Sequence, residues 1–252
     1  MNNIITGENI VRIFGKGNEQ VNVLNRVNVE IAKGEFVAVM GPSGSGKTTL
    51  LFALSGMDEI TSGSVKFGGT ELTKLSEGSL ADVRRTKMGF VFQQPTMLKN
   101  LNLLDNILLP AAHEGKRDTM MLVQKAKALM RKTGISGLED RDTSEVSGGQ
   151  LQRAGICRAL INAPEILFAD EPTGALNSKS AEEIMELLVD INKEGTAILL
   201  VTHDAKVAAR ADRVLFTKDG SIVSELPLQS FRDCDMEGRG EKILAEMATV
   251  GI

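Results

Sequence analysis

The 252-residue sequence predicts an α/β protein with a mainly parallel core sheet, an antiparallel β subdomain and an inserted helical subdomain. Three observations carry this expectation. Short apolar runs such as EILFAD at 165–170 and TAILLVT at 196–202 alternate with helix-length segments, the pattern of parallel strands buried on both faces. The first third reads instead as short strands separated by turns. The region from about 95 to 162 changes to a Leu-, Ala-, Met- and Lys-rich helical periodicity.

Taken in order, Val and Asn alternate at 21–23 and 27–29, followed by Ile31, a KGE turn at 33–35 and the apolar strand FVAVM at 36–40. A helix is expected from about Lys47 to Gly56. Strand-like pieces surround SGSVKFGG at 62–69, where glycines mark turns, and a further strand follows at 88–92. Within the helical region, MMLVQKAKALMRKTG at 120–134 reads as a helix closed by Gly134. After Pro164 comes a strand at 165–170, an amphipathic helix from Ser180 to Asn192 and a strand at 196–202. RVLFT at 213–217 and SIVSEL at 221–226 flank KDG, a hairpin signal through Asp219 and Gly220. From Leu228 onward a polar linker leads to a short amphipathic segment, EKILAEMA at 241–248. The expected organisation is a main domain over 2–226, the helical subdomain inserted at about 95–162, and a C-terminal tail with a short helix over 227–252.

Composition narrows the function. At 42% hydrophobic and 25% charged residues the chain is ordinary globular material. With 29 Lys and Arg against 33 Asp and Glu, the net charge of -4 gives no global positive field for nucleic acid, which is not expected as a partner. Cys157 and Cys234 have no metal-ligand spacing and only two His accompany them, so a zinc site is not expected; this usage suits a reducing cytosol. No apolar run approaches the roughly 18 residues of a membrane-spanning helix. The start, MNNIITGENIV, lacks the basic and apolar regions of a signal peptide. Because the chain has no Trp and no Tyr, any aromatic contact with a ligand must come from one of nine Phe.

Three motifs carry chemistry. Gly41, Pro42, Ser43, Gly44, Ser45, Gly46, Lys47 and Thr48 match GxxxxGK[ST] between the strand FVAVM and a helix. Successive backbone N–H groups of such a loop wrap phosphates, Lys47 reaches the β and γ phosphates, and Thr48 can ligate Mg²⁺. Thr49 belongs to the same nucleotide-binding set. ILFADE at 166–171 is a buried strand ending in two acids, with Asp170 suited to Mg²⁺ and Glu171 placed to polarise an attacking water. EVSGGQ at 145–150 stands just ahead of a helix; alone it is a turn plus a helix cap, with the physical capability of binding an anion.

A phosphate loop, a helical insert, SGGQ, a strand ending in Asp-Glu and a strand ending in His203 together resemble the ATP-binding cassette (ABC) ATPase family, over about 2–226. The resemblance implies a P-loop NTPase fold of the ABC-ATPase type, ATP and Mg²⁺ as cofactors, and ATP hydrolysis. Ser147, Gly148, Gly149 and Gln150 match the signature that contacts the γ-phosphate of ATP held by a partner cassette, in a head-to-tail homodimer. Val146 stands where Leu is usual. Gln93, ending GFVFQ, resembles the Gln that senses Mg²⁺ and the nucleophilic water and meets the membrane partner. His203 resembles the switch histidine; a lone His at a strand end is more often structural. Phe14, in VRIFG, sits where the family places an adenine-stacking aromatic, usually Tyr, while the competing reading makes it a core residue of an edge strand. Asn177 replaces a common Asp.

EPTGALNSKSA at 171–181 and the stretch at 88–110 are similar to a bacterial group of macrolide exporters, lipoprotein-release ATPases and peptide-antibiotic resistance cassettes, with GALxSKSA nearest the bacitracin type. That similarity implies a cytoplasmic ATPase, peripheral at the inner face of the membrane, driving a separate permease through contacts near Gln93 to Asn106, with a sensor kinase linked through the permease. The alternative is a nucleotide-gated switch or scaffold, in cell division, signalling or lipoprotein release, that transports no solute. A soluble DNA-repair or translation protein is disfavoured, since those usually carry two cassettes or long inserts.

Overall fold

The computed structural model describes residues 3–15, 17–112, 119–228 and 236–252; Cys234 and most of the expected linker lie outside them. An antiparallel sheet in the order β2-β1-β4-β5 is built from β1 (Asn3–Phe14), β2 (Val21–Ala32), β4 (Ser62–Phe67) and β5 (Thr70–Glu71). Its first two strands run for twelve residues each, longer than the short strands expected. The pairing of β1 with β2 slips between Gly7 and Ile10 and again between Arg12 and Ile13, and Asn9 and Arg26 take φ of 49° and 50°. These bulges interrupt the polar and apolar alternation that marks a long strand in sequence.

The second sheet has the order β10-β9-β3-β8-β7-β6. It contains β3 (Phe36–Met40), β6 (Met88–Phe92), β7 (Ile166–Asp170), β8 (Ala197–Val201), β9 (Arg213–Lys218) and β10 (Ser221–Pro227). Neighbours are parallel from β9 through to β6, while β10 returns antiparallel to β9. The β9–β10 turn has Asp219 at φ 49° and Gly220 at φ 76°, the paired positive values that an Asp-Gly hairpin supplies.

Helices α1 (Lys47–Leu54), α2 (Glu77–Lys87), α3 (Leu103–Ala112), α4 (Thr119–Lys132), α5 (Gly148–Leu160), α6 (Ser178–Lys193), α7 (Ala205–Ala208) and α8 (Met236–Val250) complete the described chain. Ala38, Met40, Ala169, Leu200 and Phe216 face a core shared with α5, α6, α7 and α8. Val37, Val39, Phe168, Leu199 and Leu215 face the opposite core, against α1 and the antiparallel sheet. Burial on both faces is why these strands read as continuous apolar runs. Helices α3, α4 and α5 meet around their own cluster, which includes Leu103, Ile107, Met130, Ala154 and Cys157.

Three helices also differ from the sequence expectation. Helix α1 stops at Leu54, because Gly56 takes φ 65° in the left-handed region where glycine closes a helix. Helix α2 has no fully buried residue, and its apolar period is a single i, i+3 pair, Leu80 and Val83, half-buried against the second core; Ser76 caps its start by accepting from Ser79 N at 3.3 Å. Helix α8 is longer than EKILAEMA and packs on the first core through Ile243, fully buried. Arg239 Nε donates to the Ala209 carbonyl at 2.6 Å, and Lys218 Nζ donates to the Val250 and Gly251 carbonyls at 3.1 Å each. Among the described residues, no helix is long and apolar enough to cross a membrane.

Candidate active site

Parallel pairing brings the C-terminal ends of β3, β6, β7 and β8 to one edge of the sheet. The segments that leave this edge carry Gly41, Gln93, Asp170 with Glu171, and His203. In an open α/β sheet this is where ligands bind, because the helices that follow the strands begin there and present unpaired N-terminal N–H groups.

The loop at 41–46 turns from β3 into α1. Gly46 takes φ 92°, and a Cβ there would lie 2.6 Å from the Val23 carbonyl of β2; one on Gly41 would lie 2.2 Å from the Thr217 carbonyl. The loop is thus wedged between β2 and β9 in a space only glycine fits. Ser45 is buried, its Oγ 2.8 Å from Thr217 Oγ1, and the Thr217 hydroxyl also lies 3.1 Å from the Met40 carbonyl it donates to. The first turn of α1 has no side-chain cap, which leaves its N–H groups for an anion. Lys47 Nζ donates to the Gly41 and Pro42 carbonyls at 2.9 Å each, folded back over the loop. Burial holds its pKa below the usual lysine value, while the charges of Glu171 and Asp170 oppose that shift.

Thr48 Oγ1 donates to Asp170 Oδ1 at 3.0 Å. Burial raises the Asp170 pKa; the neighbouring charge of Glu171 adds to this, and the Thr48 bond and Lys47 act against it. Glu171 follows at φ 47°, unusual for a residue other than glycine, with its N–H donating to the Val201 carbonyl at 3.0 Å. Its Oε1 lies 2.9 Å from Nδ1 of His203, which is 74% exposed. A strained backbone that aims a carboxylate beside a phosphate loop is the kind of outlier found at reactive centres.

Gln93 is exposed and rests on Gly174, where a Cβ would lie 2.8 Å from its Nε2. The Gly174 N–H donates to the Glu171 carbonyl at 3.0 Å, so Gln93 covers the turn that begins at Glu171. Phe14 ends β1, a strand inside its sheet, yet is 40% exposed, so the core reading does not hold. One ring face carries the Arg12 guanidinium, 4.3 Å from the centroid, which Asp58 holds at 2.6 Å. Phe14 pairs with Val21, two residues from Val23 beside the phosphate loop.

The SGGQ turn lies elsewhere. Ser147 caps α5 by accepting from Gln150 N at 3.3 Å, and Gln150 Oε1 accepts from Ser147 N at 2.8 Å, a reciprocal capping box. A Cβ on Gly149 would meet Ser180 Oγ at 3.1 Å, which seats the turn against the start of α6. Among the described residues, no hydrogen bond joins it to the phosphate loop. Asn177 caps α6 by accepting from Ser180 N at 2.9 Å, a task its amide performs without the charge of Asp.

The structure also identifies polar residues that motif reading passed over. Gln152 on α5 is buried and donates from Nε2 to the Phe92 and Pro172 carbonyls, at 3.0 and 2.8 Å. It stands at i, i+4, i+8 with Ile156 and Leu160, so a polar residue on a buried stripe was the available signal. Arg158, also on α5, donates to the Thr96 carbonyl at 2.7 Å. Asn106, fully buried, accepts from Leu98 N at 2.8 Å and donates to the carbonyls of Leu98, Leu101 and Asn102. Together they strap the segment after Gln93 to α3 and α5.

Comparisons with known proteins identify the family. The family model for the ABC transporter matches residues 24–174. Macrolide export ATP-binding/permease protein MacB of Mannheimia succiniciproducens is 45% identical over 223 residues, 88% of this chain and 34% of MacB. The chain therefore spans about a third of the length of these relatives. Bacitracin export ATP-binding protein BceA of Halalkalibacterium halodurans is 43% identical over 224 residues, 88% of each chain. A solved dimeric, post-hydrolysis structure of the ATP-binding cassette MJ0796 with ADP and Pi superposes with a TM-score of 0.83 at 36% identity, covering 90% of this chain and all of that one. Matched over more than half its length by the family model, this chain belongs to the ABC transporter family.

Proposed function

We propose that the chain is the ATPase subunit of a bacterial exporter, working as a head-to-tail dimer at the inner face of the membrane and driving a separate permease in resistance to antimicrobial peptides. The observation that carries this reading is the likeness to BceA over 88% of both chains, a bacitracin export ATP-binding protein by name. A sensor kinase linked through the permease belongs to the same reading.

In this scheme the N–H groups of 41–46, with Lys47, Thr48 and Thr49, hold the phosphates, and Phe14 offers its free ring face to adenine. Among the described residues, no cluster of three or more His, Cys, Asp or Glu could hold a metal by itself. The oxygens of Thr48 and Asp170, already 3.0 Å apart, suit Mg²⁺ when nucleotide oxygens complete its shell, with Gln93 nearby. When bound, Mg²⁺ would supply neutralisation of phosphate charge. Glu171 polarises the attacking water, and His203 orients that carboxylate through Nδ1. Ser147 to Gln150 present the α5 N-terminus to the γ-phosphate held by the second chain, and the dimeric MJ0796 cassette supports that arrangement. The segment Gln93–Asn106 and helices α3 to α5 form the permease-facing surface.

The test is to co-express the chain with the membrane protein of the neighbouring reading frame, purify the pair into nanodiscs, and measure ATP hydrolysis with and without bacitracin. Peptide-dependent turnover that Lys47→Ala abolishes supports the proposal. A stable complex whose turnover and cellular resistance ignore the peptide would assign the switch or scaffold role instead.

A further inference from the structure

Gln152 makes an unusual choice of partners. The residue is 1% exposed, and its Nε2 donates to the Phe92 carbonyl at 3.0 Å and the Pro172 carbonyl at 2.8 Å. Its Oε1 is buried with no hydrogen-bond partner. An apolar side chain of similar length would fill the same stripe of α5, beside Ile156 and Leu160, without a buried unpaired Oε1, but it would leave both carbonyls without this donor. The amide therefore gives up one partner to put both N–H groups on two carbonyls.

Those carbonyls stand at informative places. Phe92 immediately precedes Gln93, and Pro172 immediately follows Glu171. The two residues end neighbouring strands, since Phe92 pairs with Asp170 in the β6–β7 ladder. Beyond that pair the ladder stops, and no backbone bond between β6 and β7 fixes where Gln93 and Glu171 go. Gln152 supplies the missing tie from α5. The turn it holds is also the one where Glu171 adopts φ 47° and Gln93 rests on Gly174.

We propose that Gln152 is a positioning residue for ATP hydrolysis: by holding the Phe92 and Pro172 carbonyls it sets Gln93 and Glu171 on either side of the attacking water. The inference rests on the reading of Glu171 as the group that polarises that water. Because Ser147 caps α5, the same side chain ties the signature turn of one chain to the hydrolytic residues of that chain. Movement of α5 then reaches Glu171 through one amide.

The test is the steady-state kcat and KM of the full chain carrying Gln152→Met, beside the ATP dissociation constant and single-turnover rates in the Glu171→Gln background. Gln152→Met should lower kcat by about tenfold or more, as small displacements of reacting groups do, with ATP affinity within twofold of the parent. In Glu171→Gln the same change should slow the residual single turnover by a clearly smaller factor than in the parent, since one of the two residues it positions is already disabled. A residue that merely stabilises α5 would lower both backgrounds equally, and that result, or a kcat within twofold of wild type, overturns the proposal. Should Gln152→Met not fold, Gln152→Asn keeps the amide, shortens its reach and is read the same way. Near wild-type hydrolysis in Glu171→Gln alone would instead refute the role of Glu171, whatever Gln152 does.

Discussion

Oε1 of Glu171 lies 2.9 Å from Nδ1 of His203, across the ends of the neighbouring strands β7 and β8. Each residue was singled out separately in the sequence, and the fold makes them one unit. Glu171→Gln keeps the shape but removes the charge, so turnover should fall by about 10² or more while ATP still binds. His203→Ala should lower turnover less, and the double variant should be no slower than Glu171→Gln alone, because one group acts through the other. Phosphate-release kinetics on the three purified variants check this; additive losses would mean the contact is incidental.

Nucleotide affinity separates the two ends of the ligand. Lys47→Ala removes a phosphate partner and should abolish measurable binding at micromolar ATP. Phe14→Ala should weaken binding by about 1–3 kcal/mol, the range for base stacking on an aromatic ring. Calorimetric titration of Phe14→Leu decides the point, since Leu retains apolar bulk without a flat face. Equal affinity for Leu and Phe would leave the exposed ring without a role in adenine binding.

Dimer closure should require ATP and survive only when hydrolysis is blocked. Sedimentation of Glu171→Gln is expected to show dimer with ATP and monomer with ADP. Adding Ser147→Arg should prevent the dimer without touching ATP binding. Because Ser147 also caps α5, Ser147→Ala serves as the control, costing about 1 kcal/mol of stability through the lost cap. A dimer indifferent to both nucleotide and Ser147 would reduce the SGGQ turn to that cap.

Asp170 makes the nucleotide-free protein's stability depend on pH. Burial raises its folded-state pKa, so the neutral acid favours the fold at low pH, and that contribution is lost as pH rises through the folded value. At neutral pH the fold therefore carries a half-buried charge that Asp170→Asn removes. The variant should melt at a higher temperature than wild type at pH 7.5, with the gap closing toward about pH 4. Circular dichroism melts at both values test the sign; a lower melting temperature at pH 7.5 would show that Thr48 and Lys47 outweigh burial.

Cys157 is buried beside Thr133, and desolvation pushes its thiol up to about 11. At pH 8 it should be protonated, enclosed and inert. In a Cys234→Ser background, iodoacetamide should label the native protein at least 100-fold more slowly than the urea-unfolded chain, an expectation about burial and thiolate fraction together. Mass spectrometry of timed samples reads it directly.

The sequence by itself determined what depends on neighbours along the chain. FVAVM and ILFAD could only be strands buried on both faces, GPSGSGKT could only be a close-approach loop, and Asp219-Gly220 specified its hairpin, because periodicity and glycine freedom are local properties. Even the acids at the end of β7 were legible, since a parallel strand delivers its last residues to the ligand edge. Tertiary structure alone decided the rest. Helix α2 has no fully buried residue, only Leu80 and Val83 half-buried against the core, and is recognised by its cap and contacts. Phe14 could be core or platform until the end of β1 was seen to leave it exposed under Arg12. The positive φ of Glu171, its contact with His203 and the two carbonyls held by Gln152 join positions 20 to 60 residues apart. No local pattern encodes such meetings: they arise when β6, β7 and β8 align in register and α5 packs across their ends.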